Sequence, residues 1–226
     1  VKTRLENFGY MWECPNIVTL KDKDVLIFSP QGLEKEEFKY QNIYQSGYIV
    51  GKLNYDTLKF NHDEFCELDM GFDFYAPQTF LDKRGRRILI GWMGMPDADY
   101  TNPTVEYGWQ HCLTLPRVLT QDGTGRLLQA PAAELNALRG EARQTADGET
   151  VETDPCFDLT AAPAGDFVLT IANGLTLTYT EADRTCTLHF TDAAIAAGRT
   201  ERKTLLDAPC RSLRVVGDAS SLEIFL

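Results

Sequence analysis

The strongest constraint on this chain is a series of short β-branched and aromatic runs, each closed by a turn signal. NIVTL (16–20), DVLIFS (24–29), SGYIVGKL (46–53), APQTFLD (76–82) and RRILIGWMG (86–94) follow one another through the first half. Runs of this length and composition favour strands. KDKD, SPQG and DKRG lie between or beside them, with the Gly, Pro and Asp that turns need. Long helical periodicity is absent. The spacing predicts an all-β barrel, sandwich or propeller. TFLDKRGRRILIGW reads as a hairpin with Lys83–Gly85 near its tip.

The texture changes at LPRVLTQDGTGRLLQAPAAELNALRG. PAAELNALRG reads as a short helix, with Pro131 in its first turn and Gly140 at its end. Beyond it FVLTI, LTLTYT, CTLHF and SLRVV alternate apolar and polar residues. Period two predicts antiparallel strands with one buried face, hence a small β-sandwich. The expected division is residues 1–127 as a first β domain, 128–142 as a linker with a short helix, and 143–226 as the sandwich. SSLEIFL reads as a last strand cut off without a turn, an exposed edge. With a first residue, Val1, that is not methionine, this suggests a piece of a longer protein.

At 226 residues and 43% hydrophobic content the chain can bury a substantial core. Its net charge of −11 repels nucleic acid phosphates and anionic lipid, so neither is an expected partner. No apolar stretch reaches membrane-span length, and no signal-peptide pattern is visible. The six cysteines are scattered, with no CxxC. They read as reduced, mostly buried thiols of a cytoplasmic protein. His111-Cys112 has no second ligand pair, so no metal site is expected.

Three segments hold residues suited to chemistry. In MWECPN, Glu13 stands among apolar neighbours, which disfavour ionisation and suit a general acid. Pro15 fixes the backbone after it, and Trp12 offers an apolar wall. The plainer alternative is an exposed glutamate at a strand edge. In ELDMGFDFYAPQTF, Asp69, Asp73, Tyr75 and Gln78 are interleaved with Phe72, Phe74 and Phe80. On a strand Asp73 and Tyr75 would share a face, and polar groups among aromatics suit a sugar. The alternative is a loop followed by a core strand. In ILIGWMGMP, Trp92 lies between two glycines, as a platform or as a core residue.

MWECPN, GFDFYAPQTF, RRILIGWMG, LTLPRVLT and a terminal SSLEIF occur in that order across nearly the whole chain. Together they resemble glycoside hydrolase family 32, the β-fructofuranosidases that include invertase and sucrose-6-phosphate hydrolase. The resemblance implies a five-bladed β-propeller followed by a β-sandwich, of which this chain would be the C-terminal portion of the propeller and a truncated sandwich. It implies Glu13 as the acid/base, Asp73 and Tyr75 in the fructose pocket, and Trp92 as an aromatic wall. Trp12, from its place beside Glu13, is expected to bind substrate with them. His111 and Trp109 have no functional counterpart and read as structural.

The implied reaction is retaining hydrolysis of a terminal β-fructofuranoside, needing no metal or organic cofactor. The family's nucleophile lies in an Asn-Asp-Pro-Asn-Gly type motif, and an Arg-Asp-Pro motif holds the fructosyl hydroxyls. Neither motif occurs in these residues. Sucrose and sucrose 6-phosphate are the expected substrates. Fructan hydrolysis and a non-catalytic carbohydrate-binding role are the alternatives. Lys83, Arg84, Arg86 and Arg87 form a basic cluster that would suit a phosphate, although a solvated turn explains them as simply.

Overall fold

The computed structural model describes residues 5–226. It is all-β, with sixteen strands in four antiparallel sheets among the described residues. The first sheet is a meander in chain order: β1 (Met11–Leu20), β2 (Lys23–Gln31), β3 (Gly47–Asn54) and β4 (Lys59–Glu67). Its central strands are covered on both faces. Val25, Ile27, Tyr48 and Val50 pack with Leu68, Phe74, Leu89 and Leu119 on one side. Leu26, Phe28 and Ile49 pack with Phe60 and Phe65 on the other. Burial on both faces is why these runs read as continuously apolar rather than alternating.

The second sheet contains β5 (Tyr75–Leu81), β6 (Arg87–Met93), β7 (Cys112–Leu113), β8 (Arg117–Gln121) and β9 (Leu127–Pro131). Its main path is β5-β6-β8-β9, with the short β7 also on β6. Two of its turns are built alike. In each, an aspartate carboxylate accepts from backbone N–H groups across Asp82–Arg86 and Asp122–Arg126. Gly85 and Gly125 supply the positive φ, 77° and 95°. The expected hairpin tip at Lys83–Gly85 falls inside the first turn. The second turn makes LPRVLTQDGTGRLLQAP a hairpin of this sheet, which extends to Pro131. The expected helix is a 3-10 helix, Ala133–Leu138, so Pro131 ends a strand rather than opening a helix.

In the second half, β10 (Phe157–Ala161), β15 (Leu213–Asp218) and β16 (Ser221–Phe225) form a third sheet. A fourth comprises β11 (Phe167–Ile171), β12 (Leu175–Thr180), β13 (Thr185–Phe190) and β14 (Glu201–Leu205). Leu177, Tyr179 and Cys186 of the fourth sheet share a core with Leu213 and Val215 of the third. The strictly alternating burial of β12 is the pattern read from LTLTYT. The terminal run, expected as an exposed edge strand, pairs with β15 on one side and is the edge of its sheet among the described residues. All six cysteines are free, but only Cys186 and Cys210 are fully buried, and Cys112 and Cys156 are exposed.

Of three register irregularities in the first half, one lies in β3–β4 between Ile49 and Gly51, and the other two shape the site. The β1–β2 register shifts between Glu13 and Asn16, and the β5–β6 register shifts between Tyr75 and Gln78. Cys14 and Ala76, both at φ 48°, stand in these bulges, and a proline follows each. Glu-Cys-Pro-Asn and Tyr-Ala-Pro-Gln are thus the same device. A proline offers no N–H to the ladder, and the bulge bends the strand and re-aims its side chains. Thr79 Oγ1 donates to Asn16 Oδ1 at 2.7 Å, tying one bulge to the other.

A β-branched residue is poorly tolerated at positive φ. Ala76→Val should therefore destabilise the fold by about 1–3 kcal/mol, whereas Ala76→Gly should be neutral or stabilising. Urea denaturation midpoints of the two variants check this. At the end of β4, Glu67 accepts from the Tyr40 N–H at 3.0 Å, and burial pushes its carboxyl up to about 7. Glu67 therefore binds its proton more tightly folded than unfolded. That contribution, on the order of 3 kcal/mol, is complete below the unfolded value of 4.5 and is lost as pH rises through about 7. Glu67→Gln mimics the protonated form. Calorimetry at about pH 5 and about pH 8 should show a smaller fall in Tm for this variant than for the unsubstituted chain.

Candidate active site

The bulge in β1 presents Glu13, half-buried, toward β2 and β5. Its Oε2 accepts the Tyr75 hydroxyl at 2.8 Å and the Gln31 side-chain amide at 3.1 Å. Gln31 Nε2 also donates to the Tyr75 oxygen at 3.1 Å, which closes a three-membered cluster. Gln31 reaches Glu13 because Met11 pairs with Gln31 and Glu13 with Ser29, so the two are diagonal neighbours on one sheet face. Tyr75 is buried. Burial raises its phenol above the ordinary tyrosine range and the Glu13 carboxylate adds to this, against the Gln31 hydrogen bond. The hydroxyl is therefore a fixed donor. The apolar wall expected around Glu13 is replaced by these hydrogen-bond donors.

Trp92 is Tyr75's register partner on β6, and their rings meet edge-on at 6.4 Å. The indole also meets His111, edge-on at 5.1 Å. A Cβ on Gly94 would stand 2.5 Å from Trp92 Nε1, so glycine there is what lets the indole lie across the backbone. His111, read as structural, thus abuts the site, whereas Trp109 is exposed. Tyr44 packs its ring 5.9 Å from that of Tyr75, and its hydroxyl donates to Asp97 Oδ2 at 2.9 Å. That hydrogen bond is the main reason the Tyr44 phenol is raised.

Glu13, Tyr75 and Trp92 are brought together as expected, and two expectations need correction. Trp12 does not line this cluster. Successive strand residues face opposite sides, and its indole stacks on Phe28 at 4.4 Å and donates to the Phe8 carbonyl at 2.9 Å. Asp73 does not share a strand face with Tyr75, because β5 begins at Tyr75 and residues 71–73 are bends. Its carboxylate is held by Arg199, Nε to Oδ2 at 2.7 Å and Nη2 to Oδ1 at 2.8 Å, and by the Tyr100 hydroxyl. Asp69 is likewise paired, with Arg117 at 2.8 Å. In the basic cluster, Arg84 and Arg86 meet Glu134, and Arg86 also meets Asp82.

Gln31, Tyr44 and Asp97 join the site without a sequence signal that marks them. SPQG reads as a turn, yet its first three residues complete β2. Only the pairing of β2 with β1 shows that Gln31 faces Glu13. Tyr44 and Asp97 lie in irregular segments 53 positions apart, with no local pattern to join them.

The family model for the glycosyl hydrolases family 32 N-terminal domain matches residues 1–131. The sucrose-6-phosphate hydrolase of Staphylococcus xylosus is 42% identical over 243 residues, covering 100% of this chain and 49% of that protein. That of Bacillus subtilis is 57% identical over 136 residues, covering 60% of this chain and 28% of that protein. The structure of sucrose-6-phosphate hydrolase from Lactobacillus gasseri superposes with a TM-score of 0.81 at 30% identity, over 96% of this chain and 48% of that one. The Bombyx mori family 32 β-fructofuranosidase, as a D63A mutant in complex with sucrose, gives 0.75 at 32% identity, over 97% and 48%. The chain spans about half the length, or less, of the relatives it matches. With the Glu-Cys-Pro bulge, its donor Tyr75 and a family match over more than half its length, the chain belongs to glycoside hydrolase family 32.

Proposed function

We propose that this chain belongs to a retaining β-fructofuranosidase that releases fructose from sucrose or sucrose 6-phosphate. The observation that carries the reading is the Glu13 carboxyl, with Tyr75 and Gln31 donating to Oε2. With both donors on Oε2, a proton on the acid form sits on Oε1, free to pass to the leaving oxygen. Once Glu13 has lost that proton, the same two donors stabilise the carboxylate, which then activates water. Tyr75 and Gln31 thus orient one oxygen while the other does the proton transfer, and Trp92 supplies an apolar ring face for the sugar.

Retention requires a second carboxyl about 5–5.5 Å from the acid/base. Asp69 and Asp73 are each neutralised by an arginine, so neither is poised to attack an anomeric carbon. The nucleophile belongs to a segment outside these residues. Glu13 protonates the glycosidic oxygen as that carboxylate attacks the fructosyl anomeric carbon, and water then releases fructose. On this reading the first two sheets are blades of a five-bladed propeller and the last two form a β-sandwich in a cytoplasmic enzyme. The names of the Staphylococcus and Lactobacillus relatives favour the phosphorylated substrate over fructans.

Glu13→Gln in the full-length enzyme should lower turnover on sucrose by about 10²–10⁴-fold with KM little changed, measured as fructose released. Unchanged turnover would overturn the assignment. The 226 residues alone should release no fructose from sucrose at any pH, because they hold one carboxyl of a retaining pair. Hydrolysis by the purified chain would require Asp69 or Asp73 as nucleophile.

A further inference from the structure

The segment from Asp69 to Phe74 leads into Tyr75 without regular secondary structure. It is held instead by side chains from far along the sequence. Arg199 stands three residues after α1 (Ala193–Ala196), in a turn made by the positive φ of Ala197 and Gly198, 49° and 93°. Its guanidinium grips both Asp73 oxygens, donates to Asn102 Oδ1 at 2.8 Å, and lies 4.1 Å from the Tyr100 ring centroid. Tyr100 closes the arrangement by donating to Asp73 Oδ1 at 3.1 Å. Gly198 is fitted to it, since a Cβ there would meet Tyr100 Cβ at 2.8 Å. Beside it, Arg202 lies over the Phe72 ring at 4.2 Å and donates to Asn42 Oδ1 at 2.7 Å.

These contacts fall on the three segments that carry the candidate site beside Glu13. Asp73 is two residues before Tyr75, the donor to Glu13. Asn42 is two residues before Tyr44, which packs on Tyr75, and Tyr100 and Asn102 follow Asp97, which holds Tyr44. A bidentate arginine–carboxylate pair fixes orientation as well as distance. Both partners are mostly sequestered, with side-chain exposures of 11% and 18%.

We propose that Arg199, from the C-terminal half, is a positioning residue for the reaction. By clamping Asp73 it sets where the Tyr75 hydroxyl stands, and so which way Glu13 presents its proton. This rests on Glu13 being the acid/base. It makes the C-terminal half a member of the catalytic apparatus, not only a support for the fold.

The test uses the full-length enzyme and two substrates, sucrose and an aryl β-fructofuranoside with a nitrophenolate leaving group. Comparing kcat/KM isolates the first chemical step, and an aryl leaving group needs little protonation. Arg199→Met should lower kcat/KM on sucrose about tenfold per folded molecule, chiefly through kcat, while changing it less than about twofold on the aryl substrate. Arg199→Lys, which keeps charge but not the bidentate grip, should fall between. In a Tyr75→Phe background Arg199→Met should add little, because the two act through one contact. Equal losses on both substrates, or full additivity with Tyr75→Phe, would overturn the proposal and leave Arg199 a structural residue. Glu13→Gln run alongside keeps the two claims separate. If that variant shows no dependence on leaving group, the acid/base reading fails, whatever Arg199 does.

Discussion

The architecture turns on one buried cation, Arg117. Only 5% exposed, it donates to Glu223 Oε2 through Nε and Nη2, at 2.9 and 2.6 Å, and to Asp69 Oδ2 through Nη1 at 2.8 Å. Its guanidinium lies between the rings of Phe74 and Phe225, at 5.0 and 5.5 Å. Desolvating a charge this far is costly unless every donor is met, and removing one partner from such a group costs about 3–5 kcal/mol. The second sheet, the segment leading to Tyr75 and the terminal strand β16 are therefore fixed together. Burial raises the Glu223 carboxyl and Arg117 opposes it. One cation facing two carboxylates keeps both from being stranded.

Arg117 and Arg199 hold the two ends of the same segment, at Asp69 and Asp73. Between them Phe72 packs on Phe190 at 5.4 Å, and just beyond Asp73 Phe74 lies buried under Gly91. An irregular stretch held at this many points behaves as a rigid element. That suits a site where one hydroxyl must meet one carboxylate oxygen within a few tenths of an ångström. The bulges at Cys14 and Ala76 complete the geometry from the strand side. Their left-handed backbone is a local cost, tolerated because proline and the surrounding ladders leave those residues no alternative. Strain of this kind concentrates where side chains must be re-aimed.

Much of the fold is legible from residues alone, because strands and turns are local. VLIF and YIV are apolar without interruption because both faces are covered, and LTLTYT alternates because one face is. The DKRG turn is readable from its Asp and Gly. DGTG carries the same signal but reads only as a change in texture, since a hairpin's membership in a sheet depends on its partner. β4 escapes notice because KFNHDEFCE, with few apolar residues and several ionisable ones, shows no strand pattern until it pairs with β3. The motif residues Glu13, Tyr75 and Trp92 stand out in the sequence. Gln31, Tyr44 and Asp97 do not, because each matters only through a neighbour distant in sequence.

By itself, then, the sequence determined the all-β class, the main turns and the motifs that mark the family, since these rest on backbone preference and on side-chain types at fixed spacing. Tertiary structure decided which way those side chains face. Trp12 and Glu13 are adjacent, but alternation along the strand sends the first to the Phe28 cluster and the second to Tyr75. Asp73 and Tyr75 are two apart, but the bends at 71–73 and the pull of Arg199, 126 positions away, turn their side chains in different directions. Long-range ion pairs and diagonal strand neighbours depend on where the chain returns in space, and no local pattern of residues carries that information.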